Sequence, residues 1–424
     1  MELILLFASF LVLVFLAVPI STAMLAASIL SILTSGLPGV IAADKMLNSM
    51  NSFPLMAVPF FILAGNIMNQ AGLTHRLVAA SKAIVGHYYG GTAQVNVVTN
   101  IVFAGISGSA TADGAAIGTT LVPAMKKEGY GTGFAAGLTA AASMVGPVIP
   151  PSIGLIVYAT IAELSVARLF LAGIGPGFAM GIALMIYVAI VSRRRGYPKS
   201  ERMPWGERIP VLTRALPAVA APVILVGGIV TGLYTATEGG VVACVYGVLL
   251  GLFVYKDLRL KDIPTILLEA AQMTAVSLFI LSTAMVFGFL LTVHGFSDVL
   301  ISLIHYLDPS PTGLILLFVG FFLLVGMFVE GMATMIIFVP VLIPFIAEYN
   351  LDPVHLALII HVAILVSMIT PPVGIMLYIE AAIAKIPVHQ VEVIPFVATI
   401  LAVILLMVFF PPLVTFIPNY FMGA

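Results

Sequence analysis

The chain contains 424 residues, of which 61% are hydrophobic and only 8% are charged, whereas soluble proteins have roughly 45–50% apolar and about 25% charged residues. This composition excludes a soluble globular enzyme. The 17 Lys and Arg residues are balanced by 18 Asp and Glu residues, so there is no basic surface for binding a nucleic acid.

Apolar runs follow one another along the whole chain and predict an all-α, polytopic protein in a lipid bilayer, because a membrane-spanning helix needs about 20 apolar residues. The strand-type alternation of an outer-membrane barrel is absent. The N-terminus, MELILLFASFLVLVFLAVPI at 1–20, is interpreted as a retained first membrane helix, since it lacks a basic leader and its apolar run exceeds the usual length of a signal peptide core. Several runs are too long for one straight crossing and predict hairpins or broken helices. The runs cover residues 3–35, 54–72, 92–125, 132–162, 168–192, 215–233, 238–255, 264–293, 311–347, 354–384 and 393–417.

Basic residues concentrate in the connections at 193–214 and 256–261, which the positive-inside rule places in the cytoplasm. The two apolar runs between these connections, 215–233 and 238–255, then cross the membrane outward and back as a pair. Trp205, the single Trp, is interpreted as a membrane-interface anchor. Contact of this loop with a partner subunit is the alternative.

An internal repeat appears when positions are shifted by 221 residues, and it predicts two halves at about 1–210 and 211–424. Repeats that carry interrupted segments at matching positions are typical of secondary transporters with a binding site at the repeat interface. Lys126 and Lys127 follow the first interrupted segment, whereas Glu348 and Asp352 follow the second, which predicts that the repeats are inverted. The matching pairs are Gly105 and Gly326, Pro123 and Pro344, and Pro150-Pro151 and Pro371-Pro372.

Each repeat is predicted to contain a re-entrant hairpin, at about 92–127 and about 311–348. The first contains GISGSATADGAAIGTT at 105–120, whose small residues permit a tight turn near 107–111. Close helix packing alone also explains small residues, but it does not explain Asp113, because a carboxylate in a membrane segment is costly. Asp113 therefore has either a functional role or a structural one in bonding the hairpin backbone.

Broken helices are predicted at about 132–162 and about 354–384, where GPVIPPS at 146–152 matches MITPPVG at 368–374. Adjacent prolines leave carbonyl groups without helical partners. These carbonyls need another donor or a hard cation such as sodium, unless neighbouring helices repair a simple kink. The first predicted cation region comprises Ser107, Ser109, Gly146, Val148 and Pro150. The second comprises Gly326, Gly331, Met368 and Thr370.

Glu330 occupies the repeat position of Ser109, and Thr334 occupies that of Asp113. An acid at a hairpin tip could coordinate a cation, take a proton or accept hydrogen bonds from substrate hydroxyls, or it could form a structural salt bridge. No histidine pair has metal-ligand spacing and there is no phosphate-binding loop, so neither a metalloprotease nor ATP-driven transport through this chain is expected.

Four stretches of the chain together resemble the large membrane subunit of tripartite ATP-independent periplasmic (TRAP) transporters. They are GISGSATADGAAIGTTLVPAMKKEGY at 105–130, GPVIPPSIGLIVYA at 146–159, GMFVEGMATMIIFVPVLIP and ITPPVGIMLY. The resemblance spans nearly the whole chain. It implies an elevator-type transporter in the bacterial inner membrane, driven by about two or more sodium ions. The implied substrate is an organic carboxylate, such as a dicarboxylate, a sialic acid or another sugar acid.

The resemblance also implies two partners and no ATPase subunit: a small membrane subunit of about four helices, expected as a separate chain, and a periplasmic substrate-binding protein. It assigns substrate binding to Ser107, Ser109, Ser152 and Glu330. Two alternatives remain open on the residues alone. One is a self-sufficient ion-coupled carrier or exchanger of a related elevator fold, and the other is a membrane enzyme that uses Asp113 and Glu330 as paired acids.

Overall fold

The computed structural model describes residues 2–16, 18–51 and 54–423, and every regular element within them is helical. This confirms the predicted all-α fold. The helices of the N-terminal half are α1 Glu2–Phe15, α2 Ile20–Thr34, α3 Val40–Met50, α4 Ala57–Gln70, α5 Leu73–Val85, α6 Gly91–Ser107, α7 Ala110–Lys127, α8 Thr132–Ser143, α9 Ile153–Ile161 and α10 Val166–Arg195.

The C-terminal half repeats the part of this order that runs from α5 to α9. Adding 221 to the bounds of α7 gives 331 and 348, which are the bounds of α16. Gly72 and Gly295 cap α5 and α14 in the left-handed region, at φ +73° and +77°, where glycine is unstrained. The helices are α11 Trp205–Val230, α12 Ala236–Leu249, α13 Ile263–Val293, α14 Phe296–Leu307, α15 Pro311–Gly326, α16 Gly331–Glu348, α17 Pro353–Ser367, α18 Ile375–Ala384, α19 Ile394–Phe409 and α20 Pro412–Met422.

The long N-terminal apolar run at 3–35, which includes the predicted first membrane helix, folds back on itself. It forms two helices of 14 and 15 residues, and the Thr34 hydroxyl donates to the Glu2 carboxylate at 3.0 Å. This bond joins the start of α1 to the end of α2, so the pair is antiparallel. A 14-residue helix is about 21 Å long, which is shorter than the roughly 30 Å hydrocarbon core.

Among the described residues, five helices are long and apolar enough to span a membrane, or seven if two bent pairs each count as one span. One bent pair is α19 and α20, which meet at 57°. The five are α10, α11, α12 with its π-helical extension to Val254, α13 with the preceding turn from Leu260, and α16. The chain is a multi-pass membrane protein.

The ends of the helices show that the two repeats are inverted. The Glu392 amide, which follows α18, donates to the Gly133 carbonyl at the start of α8 at 3.1 Å. At the other end of the bundle, the Arg168 guanidinium near the start of α10 donates to Asn419 of α20 at 2.8 Å. The second broken helix, α17–α18, therefore ends on the side where the first broken helix, α8–α9, begins, so the two run in opposite directions. Arg195 pairs with Glu392 at 2.8 Å, which places the basic 193–214 connection on the side where α8 begins.

The core lies where the first halves of the two broken helices cross the bundle. Every residue of α8 from Phe134 to Ser143 is buried, and so is every residue of α17 from Val354 to Ser367. The two hairpins, α6–α7 and α15–α16, pack around them. This arrangement brings each hairpin tip against a proline break.

Candidate functional site

Both hairpin tips line one cavity of about 470 Å³. Helices α4 and α13 line it as well, through Asn66, Asn69, Gln272 and Ser277. Among the lining residues there is no Lys or Arg, and the ionisable side chains are those of Glu330 and His361. The cavity is therefore polar at its tips and carries no basic side chain for a substrate anion.

The first tip is the turn between α6 and α7. Gly108 lies in the left-handed region at φ +62°, and Ser109 follows as the N-cap of α7. The Ala112 amide donates to the Ser109 hydroxyl at 3.5 Å, and this hydroxyl lies 3.2 Å from that of Thr111. Ser107, Ser109 and Thr111 line the cavity, so the neutral N-terminus of α7 faces the enclosed space.

Asp113 lies one turn behind the first tip and is fully buried. The Ser107 hydroxyl donates to its Oδ1 atom. Its Oδ2 atom is buried without a hydrogen-bond partner among the described residues and lies against Gly146, where a side chain would collide with it. An unpartnered buried carboxylate oxygen is costly, so this position suits a cation or a proton. The sequence left the role of Asp113 open, and the fold places it in the first predicted cation region.

The first proline break runs from the end of α8 to the start of α9 and contains a cis Pro150-Pro151 bond. A Cβ atom on Gly105, in α6, would lie 3.7 Å from the Pro150 carbonyl oxygen. The Val148 carbonyl oxygen lies against Gly173 of α10. The fold thus brings Gly146 and Pro150 to the first hairpin, while the Val148 carbonyl contacts α10.

The second tip carries its charge directly on the N-cap. The Glu330 carboxylate accepts a hydrogen bond from the Ala333 amide at 3.1 Å, and Glu330 lines the cavity. One turn further, the Thr334 hydroxyl is fully buried and donates to the Val329 carbonyl at 3.4 Å.

The second hairpin packs on the second break, which contains a cis Pro371-Pro372 bond. Gly326 lies against the Ser367 hydroxyl, and a Cβ atom on Gly331 would lie 3.4 Å from the Met368 sulfur. The Thr370 hydroxyl donates to the Val366 carbonyl at 2.7 Å. The fold therefore brings Gly326, Gly331 and Met368 together, with Thr370 at the end of the same segment.

Ser152 requires a correction, because it does not line the cavity. It is fully buried, and its hydroxyl accepts a hydrogen bond from the Leu155 amide at 3.1 Å as the N-cap of α9. Its hydroxyl therefore stabilises a helix end, and direct contact with a substrate in this cavity is not available to it.

Sequence reasoning missed two polar residues of this region. His361 is buried in α17, and its Nε2 atom lies 2.9 Å from the Pro147 carbonyl oxygen. Because a carbonyl only accepts, Nε2 carries the hydrogen, which leaves Nδ1 as a buried acceptor without a partner. Ser367, the other missed residue, is fully buried against Gly326. The signal available for both was a polar residue inside an apolar run.

The family model of the DctM component of the tripartite ATP-independent periplasmic transporter matches residues 7–413. The chain belongs to this family. It is 33% identical over 417 residues to the sialic acid TRAP transporter large permease protein SiaM of Vibrio cholerae, covering 97% of each chain. It is 35% identical over 380 residues to the C4-dicarboxylate TRAP transporter large permease protein DctM of Pseudomonas aeruginosa, covering 89% of each.

Among solved structures, the YdaH transporter of Alcanivorax borkumensis superimposes with a TM-score of 0.62 at 15% identity, covering 87% of each chain. At this identity the match concerns the fold alone. The family match confirms the predicted TRAP resemblance, and the relatives are transporter permeases, not enzymes. The enzyme alternative built on Asp113 and Glu330 is therefore wrong. TRAP large permeases in general work with a small membrane subunit and a periplasmic binding protein.

Proposed function

We propose that the chain is the permease of a sodium-driven importer for an organic carboxylate, with an elevator mechanism. The observation that carries this proposal is the single cavity lined by the tips of two inverted hairpins, each packed on a proline break. Broken helices at a repeat interface are where secondary transporters bind substrate and coupling ions.

The first sodium region is formed by Ser107, Ser109, Gly146 and Pro150, and we add the Asp113 carboxylate to it. Val148 is left out because its carbonyl oxygen contacts α10. The support for this addition is the buried Oδ2 atom that no donor satisfies. Sodium prefers oxygen ligands, and a carboxylate contributes both an oxygen and the compensating charge.

The second sodium region is formed by Gly326, Gly331, Met368 and Thr370, and we add the hydroxyl of Ser367. The support here is the packing of the second hairpin on the end of α17. The acid beside this region, Glu330, lines the cavity and accepts a hydrogen bond from the Ala333 amide, so carbonyl and hydroxyl oxygens would bind the cation through their dipoles.

The substrate occupies the cavity between the tips. Its carboxylate binds at the N-terminus of α7, near Ser107 and Ser109, because free amide groups and the helix dipole favour an anion there. Glu330 accepts hydrogen bonds from the hydroxyl groups of the substrate. Relatives named for sialic acid and for C4-dicarboxylates support the same range of substrates here.

The energetics favour at least two sodium ions per carboxylate. Each sodium ion that enters gains about 2.3 kcal/mol per 100 mV of membrane potential, and each negative charge on the substrate loses the same amount. For a substrate with a single negative charge, such as sialic acid, two ions therefore leave a net driving force from the potential, and two pseudo-equivalent regions meet that minimum.

The hairpins and broken helices would move as one unit against the remaining helices, in the bacterial inner membrane. A separate small subunit of about four helices would complete the membrane part, and a periplasmic binding protein would deliver the substrate. The decisive experiment reconstitutes the chain with these two partners in sealed vesicles and measures uptake of sialic acid and succinate under an inward sodium gradient.

The expected result is uptake that requires sodium and the binding protein and that, for sialic acid, also depends on the membrane potential. Uptake by the chain alone would favour the self-sufficient carrier. Strictly electroneutral uptake of sialic acid would contradict the proposed stoichiometry.

A further inference from the structure

Glu380 lies in the middle of α18, outside the cavity and both cation regions. Its side chain is fully buried, and neither carboxyl oxygen has a hydrogen-bond partner among the described residues. Helix α18 packs on α7 and α8, so Glu380 lies at the joint between the second broken helix and the first hairpin.

Two glycines of α7, Gly114 and Gly118, accommodate this carboxyl group. A Cβ atom on Gly118 would lie 2.7 Å from its Oε2 atom, and one on Gly114 would lie 3.0 Å from its Oε1 atom. Glycines four residues apart usually let membrane helices approach closely. Here the groove that they form is filled by an acidic side chain in contact with the helix backbone.

No cation pairs with Glu380 in the described part of the chain. The ion pairs join Arg76 with Asp257, Arg195 with Glu392, and His305 with Glu348. The helix α8 contains no ionisable residue, and Asp113 of α7 is bonded to Ser107. Of the other ionisable groups on or beside the packed elements, Tyr130 is buried near the start of α8. The rest are exposed: Lys126, Lys127, Glu128, Tyr378, Lys385 and His389.

We propose that Glu380 is a proton-binding site and that the joint between α18 and α7 forms with this carboxyl group protonated. An ionised carboxylate without a partner is expensive to bury, whereas a neutral acid costs far less. A proton fits the position better than a metal ion, because the carboxyl oxygens lie directly against the α7 backbone. The ligand of this site is therefore a proton from solvent.

The consequence is a stability that falls as the pH rises. The folded chain keeps the Glu380 proton, whereas the unfolded chain releases it above pH of about 4.3. Over that range the folded state binds one more proton, so the unfolding equilibrium shifts toward the unfolded chain by up to about tenfold per pH unit. This contribution ends once the folded carboxyl group also ionises.

The test compares the wild-type chain with Glu380→Gln in mixed detergent micelles, measuring the unfolding equilibrium from pH 6 to pH 9 with and without sodium. The amide resembles the neutral acid but cannot ionise. We expect the stability of the variant relative to wild type to rise with pH, by up to about tenfold per unit. Glu201→Gln, at an exposed loop position, is the matched control and should show no such rise.

A pH-independent difference between Glu380→Gln and wild type would overturn the proposal. Loss of sodium-dependent stabilisation in the variant would overturn it too, because Glu380 would then bind the metal ion. Glu380→Met provides a second neutral side chain of similar length. If neither neutral variant folds at any pH, the charged carboxylate is required and the proton site is excluded.

Discussion

The two hairpin tips share a backbone plan but carry their negative charge at different positions. In the first, the N-cap is the neutral Ser109, and the acid is Asp113, one turn inside α7 and fully buried. In the second, the N-cap is the acid Glu330, and the residue one turn inside α16 is the neutral Thr334. In the first hairpin the negative charge therefore lies one turn behind the tip, whereas in the second hairpin it lies at the tip, beside the cavity.

The proline breaks complement this difference. Gly146 faces Asp113, and the residue at the matching position of the second repeat is Ser367, which faces Gly326. In the first region the polar side chain, that of Asp113, thus comes from the hairpin. In the second region the polar side chain, that of Ser367, comes from the proline break. If the proposed function holds, one scaffold provides a charged ion region in the first repeat and a neutral one in the second, and the two repeats then contribute unequally to cation binding and substrate binding.

The largest expected effect is that of Asp113→Asn on sodium binding. A hydrogen-bonding or ligating group that is charged contributes about 1.5–3 kcal/mol, so the sodium affinity should fall by roughly 10–100-fold. Thr334→Val changes the equivalent position of the second repeat and should weaken sodium binding only a few-fold. The measurement is the thermal stability of each variant as a function of sodium concentration, with choline at matched ionic strength. Equal losses in both variants would show that the two regions are not divided in this way.

The next effect concerns Glu330→Gln, which removes charge from the second tip. We expect uptake to fall by roughly tenfold or more, because the amide accepts hydrogen bonds from substrate hydroxyls less strongly than a carboxylate. Sodium-dependent stabilisation should persist. Glu348→Gln, at the exposed far end of the same helix, is the control. A loss of the sodium response in Glu330→Gln would instead assign Glu330 to ion binding.

The sequence was sufficient to predict the elements that proline and glycine determine. The paired prolines mark both breaks, and the polar small-residue stretch before Asp113 marks the first tip, because these residues restrict or release the backbone locally. The apolar run at 3–35 shows the limit of this reasoning. Its composition is apolar throughout, and where it divides into α1 and α2 depends on how these two helices pack.

The site was less predictable because burial depends on which distant helix covers a residue. Ser152 stands beside a proline break like the predicted ligands, yet its hydroxyl is used by its own helix at Leu155. His361 is close to the first break only because α17 crosses it, 214 positions along the chain from Pro147. Such partners leave no local pattern in a single sequence.

A smaller effect is expected from Gly→Ala substitutions, which compare how tightly the two regions are packed. Gly146→Ala would bring a methyl group into the Asp113 carboxylate, whereas Gly331→Ala would place it at the looser distances of 3.1 Å from the Cγ2 atom of Ile364 and 3.4 Å from the Met368 sulfur. Overpacking costs about 1–3 kcal/mol, and we expect the first variant to lose that much stability and the second less. Thermal unfolding of both variants without sodium measures the difference. A larger loss in Gly331→Ala would indicate that the second break is the more tightly packed one.

The smallest effect is expected from Ser109→Ala at the first tip. Losing an N-cap costs about 1 kcal/mol, and the bond here is long, at 3.5 Å from the Ala112 amide. Uptake should fall only a few-fold, because the Thr111 hydroxyl and the free amides of α7 still face the substrate carboxylate. Sodium binding should change less than in Asp113→Asn, since the charge lies behind the tip. If Ser109→Ala abolished sodium binding as fully as Asp113→Asn, the ion would lie at the tip itself. The two hairpins would then differ only in how they bind the substrate.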